Sequence, residues 1–89
     1  MAYDPKSLSA LSYANGFTLW HYRTGDDATD VDDVGYFNNA GPMLRVGDLV
    51  FVNAGVGVVP STGVMVVVSN ANGVVDTSNL TSFGLLNND

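Results

Sequence analysis

The sequence predicts a mainly β domain, a small barrel or sandwich with one short helix and an extended N-terminal arm. Three observations carry this. The run Phe17-Thr18-Leu19-Trp20-His21-Tyr22-Arg23-Thr24 is rich in strand-forming aromatics. Val64-Met65-Val66-Val67-Val68 is a continuous, largely β-branched apolar run, and Asn72-Gly73 follows it with the dipeptide that a tight type I′ hairpin turn favours. The chain has 89 residues, enough for one core and too few for two.

Taken in order, residues 1–15 read as the arm. Pro5 interrupts regular structure, and small or polar residues dominate around Leu8 and Leu11. Residues 16–89 read as a single β-rich domain. In the first strand Phe17 and Leu19 share one face and Trp20 and Tyr22 the other, so apolar bulk must be covered on both sides. Gly25 opens a turn, Thr29 is placed to cap, and Val31, Val34 and Phe37 recur at three-residue spacing, which predicts a short helix broken by Asn38 to Pro42. Arg45-Val46-Gly47-Asp48 reads as a tight turn into a second strand, Leu49-Val50-Phe51-Val52. The stretch from Asn53 to Gly63, punctuated by Gly55, Gly57 and Pro60, reads as loop. Val74 and Val75 begin the return of the hairpin, and Leu80, Phe83, Leu85 and Leu86 close the chain before a polar tail. There is no internal repeat.

Composition excludes several functions. Lys6, Arg23 and Arg45 are the only basic side chains besides His21, against nine aspartates, giving a formal charge of -6. That leaves no phosphate-neutralising patch, so no nucleic-acid partner is expected. With no cysteine, disulfides, thiolate zinc sites and cysteine nucleophiles are excluded. The longest apolar run is far below the roughly 20 residues that span a bilayer as a helix, and no secretory signal is expected from the N-terminal residues. A lone chain of this size buries only about 60–65% of its unfolded surface, which points to self-association as a further source of stability. Charged residues make up 13% of the chain, about half the usual share, and point the same way.

No motif offers catalysis. His21 is the only histidine and has no serine motif to pair with, so it is read as a packed or hydrogen-bonded strand residue. Gly55-Val56-Gly57-Val58-Val59-Pro60 starts like a dinucleotide-binding turn but puts proline in the sixth position with no helix after it. Asn79-Leu80-Thr81 fits a glycosylation acceptor that needs a secretory route. The cluster Asp26-Asp27-Ala28-Thr29-Asp30-Val31-Asp32-Asp33 holds five of the nine aspartates. Asp27, Asp30 and Asp32 are its candidate calcium ligands, but the EF-hand spacing fails, and helix-start and loop-solvating roles are the expectation. No cofactor and no catalytic residue is expected, and the chain is read as a non-enzyme. The candidate core and interface residues are Leu8, Leu11, Trp20, Tyr22, Tyr36, Phe37, Phe51, Val66 and Val68, because large apolar side chains dominate both kinds of burial.

Four segments carry a resemblance: Leu19-Trp20-His21-Tyr22-Arg23-Thr24, Asp30-Val31-Asp32-Asp33-Val34-Gly35-Tyr36-Phe37-Asn38, Leu44-Arg45-Val46-Gly47-Asp48-Leu49-Val50-Phe51-Val52 and Val66-Val67-Val68-Ser69. With these the chain resembles a family of small head-surface proteins of tailed bacteriophages and gene transfer agents. The resemblance spans roughly residues 15 to 77. It implies a structural virion protein that decorates the capsid, either a decoration (cement) protein or the base of a head fibre. It further implies a homo-oligomer, a trimer foremost, with the major capsid protein and a fibre protein as partners, assembled in the host cytoplasm. The competing expectation is a carbohydrate- or receptor-binding module of a phage fibre, with Trp20, Tyr22 and Tyr36 as stacking platforms and the aspartates holding calcium.

Overall fold

The computed structural model of the chain describes residues 3–83. Six strands form one open sheet: β1 (Leu8–Ala14), β2 (Phe17–Arg23), β3 (Leu49–Ala54), β4 (Ser61–Ala71), β5 (Val74–Thr77) and β6 (Thr81–Ser82). The lateral order is β1-β2-β3-β4-β5, with β6 also paired to β4. The mainly β class with one short helix is what the chain adopts, and the sheet stays open instead of closing into a barrel.

One pairing organises the rest. β2 and β3 are neighbours and run parallel, Leu19 opposite Leu49 through Arg23 opposite Asn53, while the other ladders are antiparallel. Parallel neighbours cannot be joined by a tight turn, so the chain between them must cross from one end of the sheet to the other. Residues 24–48 make this crossing, carrying the helix α1 (Ala28–Val31) and a single tight helical turn at Asn38–Ala40. The crossing buries Val31, Phe37, Ala40 and Leu44 in one core with the inward residues of the sheet, Tyr22, Val50, Val52, Ala54, Met65, Val67 and Val75. The inward set follows the two-residue period of each strand.

The expected helix is thus shorter than its three-residue pattern. Val31 and Phe37 are buried, whereas Val34 is 67% exposed because the chain leaves α1 in turns after Asp32. Asp27 takes the N-cap position in place of Thr29 and makes no side-chain capping bond.

The segment read as an arm is extended, yet Leu8–Ala14 is a strand of the sheet, joined to β2 through Asn15-Gly16 and paired from Leu8 opposite Tyr22 to Ala14 opposite Phe17. A bulge at Leu11 separates Ala10 from Ser12 in that register. The stretch read as loop is shorter than expected, since β3 runs on to Ala54 and β4 begins at Ser61. The hairpin between β4 and β5 turns as expected: Asn72 has φ 56 and Gly73 φ 78, the two positive angles of a type I′ turn. Leu85 and Leu86 lie outside the described residues.

Phe37 lies at the centre of an aromatic group, with ring centroids 5.5 Å from Tyr3, 5.1 Å from Tyr22 and 5.0 Å from Tyr36, all edge-on. Replacing Phe37 by Ala removes the ring that joins crossing to sheet, and urea denaturation should show a loss of about 3–5 kcal/mol.

Candidate interaction surface

Two polar devices hold the sheet and its crossing together. The first is Asp48, which is completely buried. Its Oδ1 accepts from the Thr18 backbone N–H at 3.0 Å, and its Oδ2 accepts from Trp20 Nε1 and the Arg45 backbone N–H, both at 3.1 Å. Its backbone closes the turn onto Arg45 and accepts from the Val67 N–H on β4, while Gly47, at φ 96, donates back to the Val67 carbonyl. A positive φ of that size suits glycine. One carboxylate thereby fixes the start of β2, the end of the crossing and the start of β3. Burial pushes its pKa up, but the hydrogen bonds from Thr18, Trp20 and Arg45 and the Arg45 charge outweigh that and leave it below the ordinary value.

The second device is a chain of hydroxyls. Tyr36 donates to Asp26 Oδ2 at 2.7 Å, so the 2.9 Å contact between Tyr22 and Tyr36 has Tyr22 as donor. The Tyr22 oxygen in turn accepts the backbone N–H of Asp4 at 2.9 Å. Burial, with the bond donated to the Asp26 carboxylate, raises the Tyr36 phenol well above its usual range, so it stays a donor at any physiological pH. Asparagines finish the work. Asn70 donates to the carbonyls of Gly41 and Leu44, and Asn38 accepts from the Val75 N–H.

With one face covered, the other presents apolar side chains in rows. Leu19, Leu49 and Val66 stand side by side, and beside them His21, Phe51 and Val64. All six are half-buried. Phe51 meets the Phe83 ring at 5.9 Å. His21 is tied into a polar string on this face: the Asn53 amide contacts its Nε2 at 2.8 Å, and Thr62 donates to Asn53 Oδ1. With Asn53 Oδ1 accepting, its Nδ2 donates to His21.

The candidate core and interface residues therefore divide between two faces and an edge. Tyr22 and Phe37 are fully buried under the crossing, with Trp20, Tyr36 and Leu8 packed half-buried against that core. Phe51 and Val66 belong to the opposite face. Leu11 and Val68 are exposed, each at a bulge, which corrects any core role for them. Asp48, Asn38, Leu19 and Leu49 fall in segments the sequence marks as turn, strand or resemblance, but neither they nor Asn70 and Val64 are among its candidate core and interface residues. The sequence places Asp48 in a turn, but its buried role shows only once that turn lies beside Thr18 and Trp20.

Among the described residues no pocket is present, and no three histidine or aspartate side chains converge at metal-binding range. Asp27 is an exposed cap, Asp30 lies within α1, and Asp32 accepts the Leu80 N–H at 3.1 Å. Tyr22, fully buried, offers no stacking platform. Compared with models of protein families, with curated proteins and with solved structures, the chain matches none.

Two outcomes follow from this geometry. Asp48 contributes stability that is present above the unfolded carboxylate pKa, about 4, and lost as pH falls through its lower folded value. Thermal denaturation should therefore show stability declining below about pH 4. The decline should be shallower in Asp48→Asn, which should also lose about 2–3 kcal/mol at neutral pH. Calcium and chelators should leave the melting temperature unchanged, since the aspartates do not gather; a calcium-dependent rise would reinstate them as ligands.

Proposed function

We propose that the chain is a structural virion protein of the outer capsid surface, a decoration protein or the base of a head fibre, acting through contacts with its own copies and with the shell. The observation that carries this reading is the division of the sheet into one face sealed by its own crossing and one face of Leu19, Leu49, Phe51, Val64 and Val66 left half-buried. A surface of that kind gains by covering apolar area against a partner, at roughly 25 cal/mol for each Å² buried.

The resemblance to phage head-surface proteins supports the same reading, and its motif residues are those that hold the scaffold. Trp20 and Asp48 bond to each other, Tyr22 to Tyr36, and Gly35 and Asn38 to Val75. These residues build a platform. They do not converge on a reacting centre, in keeping with a binding role for the protein. Oligomerisation accords with the small core, because symmetric copies supply the burial that a short chain lacks.

The test uses shells of the phage that carries the gene, prepared without this chain. Recombinant protein should co-sediment with them at saturating, symmetric stoichiometry and raise the temperature at which they open. Failure to bind intact shells would overturn the capsid-surface role. Phe51→Asp, which puts charge on the open face, should weaken co-sedimentation with the shells about tenfold or more while leaving the monomer folded.

A further inference from the structure

The two lateral ends of the sheet are finished differently. At the β5 end the backbone is occupied from outside: the Val75 N–H donates to Asn38 Oδ1 at 2.8 Å and the Val75 carbonyl accepts from the Gly35 N–H at 2.9 Å. Asp76 adds a charge to that short strand, so another strand meets both a covering loop and a carboxylate. At the β1 end nothing comparable stands. Among the described residues β1 is paired to β2 alone, and no backbone hydrogen bond from elsewhere reaches its outer side.

The sequence of that open end is equally unprotected. Leu8–Ala14 reads Leu-Ser-Ala-Leu-Ser-Tyr-Ala, with no charge and no proline. From Ser7 to Tyr22 the chain contains no Lys, Arg, Asp or Glu. Leu11 and Tyr13 are 56% and 64% exposed there. Natural edge strands are usually blunted with charges, prolines, bulges or a cover. Here such devices are two: the bulge at Leu11 and, near the end of the strand, the Arg45 guanidinium lying over the Tyr13 ring at 5.5 Å.

We infer that the outer edge of β1 pairs antiparallel with β1 of a second copy, extending the sheet across a two-fold axis near Leu11. The occupant follows from charge and register. Two chains of formal charge -6 repel over most of their surface, and this neutral stretch is where their backbones can meet without opposing like charges. A two-fold axis at Leu11 also sets the two bulges opposite each other, so Leu8–Ala10 of one copy faces Ser12–Ala14 of the other with both irregularities in register. At the far side the loop covers β5, and β6, which flanks the rest of β4, is only two residues long, so the pairing stops at two copies instead of running on as a filament. This contact rests on the homo-oligomeric part of the proposed function. It differs from the three-fold arrangement that the resemblance implies, and it leaves the open apolar face free for the shell.

The experiment is light scattering of the full chain across a dilution series, with hydrogen exchange of the β1 amides at each concentration. The expected result is a mass of two copies, amides within residues 8–14 that lose protection as the dimer dilutes, and a Kd raised about tenfold or more by Leu11→Lys. Val59→Lys, at an exposed loop position, should leave the Kd unchanged. A monomer at every concentration would overturn the pairing. So would an assembly of any size whose mass withstands Leu11→Lys and whose β1 amides gain no protection; that result would leave an oligomer built through the apolar face, and with it the proposed function, standing. Shell binding measured separately on Leu11→Lys tells the two apart, because loss of the β1 contact predicts a monomer that still docks.

Discussion

The parallel pairing of β2 with β3 is the constraint from which the rest of the molecule follows. It obliges the chain to travel back along the sheet before β3 can begin, and residues 24–48 do so across one face only. The core is therefore one-sided. Phe37, Val31 and Leu44 come down from the crossing onto Tyr22, Val50 and Val52, and no equivalent stretch of the described chain is available for the opposite side. The pairing needs a lock where the crossing rejoins the sheet, and Asp48 is that lock. Its carboxylate costs desolvation to bury, and three N–H donors offset the cost, so the buried charge is tolerated because its acceptor capacity is used.

Much of this could be read from the residues. Alternation along Phe17–Arg23 placed Trp20 and Tyr22 together on one face, and the Asn72-Gly73 turn was legible because a type I′ turn demands positive φ at both central residues. The strand at Leu8–Ala14 was missed although Asn15-Gly16 is the same dipeptide as the hairpin that was found. Leu8, Leu11 and Tyr13 are spaced unevenly around the bulge, which hides the two-residue period that a strand shows. The helix was overextended for the opposite reason. Val31, Val34 and Phe37 mimic helical spacing, but the chain turns after Asp32 and Val34 swings to solvent. The parallel ladder itself had no local signal, being a pairing between strands separated by 25 residues, from Thr24 to Asp48.

The site was legible in outline and illegible in its division. Phe51 and Val66 read as core or interface, and periodicity alone cannot say which face of a two-sided apolar strand is covered by its own chain. That depends on where the crossing lies. Leu19, Leu49 and Val64 become a surface only once the crossing is known to occupy the other side. His21 illustrates the same limit: its bond with Asn53 arises from a neighbour on a strand 32 residues away in sequence.

The register carries one consequence for how the domain sits in a larger object. Leu8, Tyr22, Val52, Gly63 and Ser82 form a single row across the sheet, each paired to the next. Leu8 opens β1 and Ser82 closes β6, so the first and last strands are entered and left at the same pole, while Asn15-Gly16 and Asn72-Gly73 turn at the other. Four inter-strand steps at about 4.8 Å put the two points of the row roughly 19 Å apart. A tether or cargo joined beyond either strand would rise from one pole, clear of the hairpin tips at the other and of the open apolar face between them.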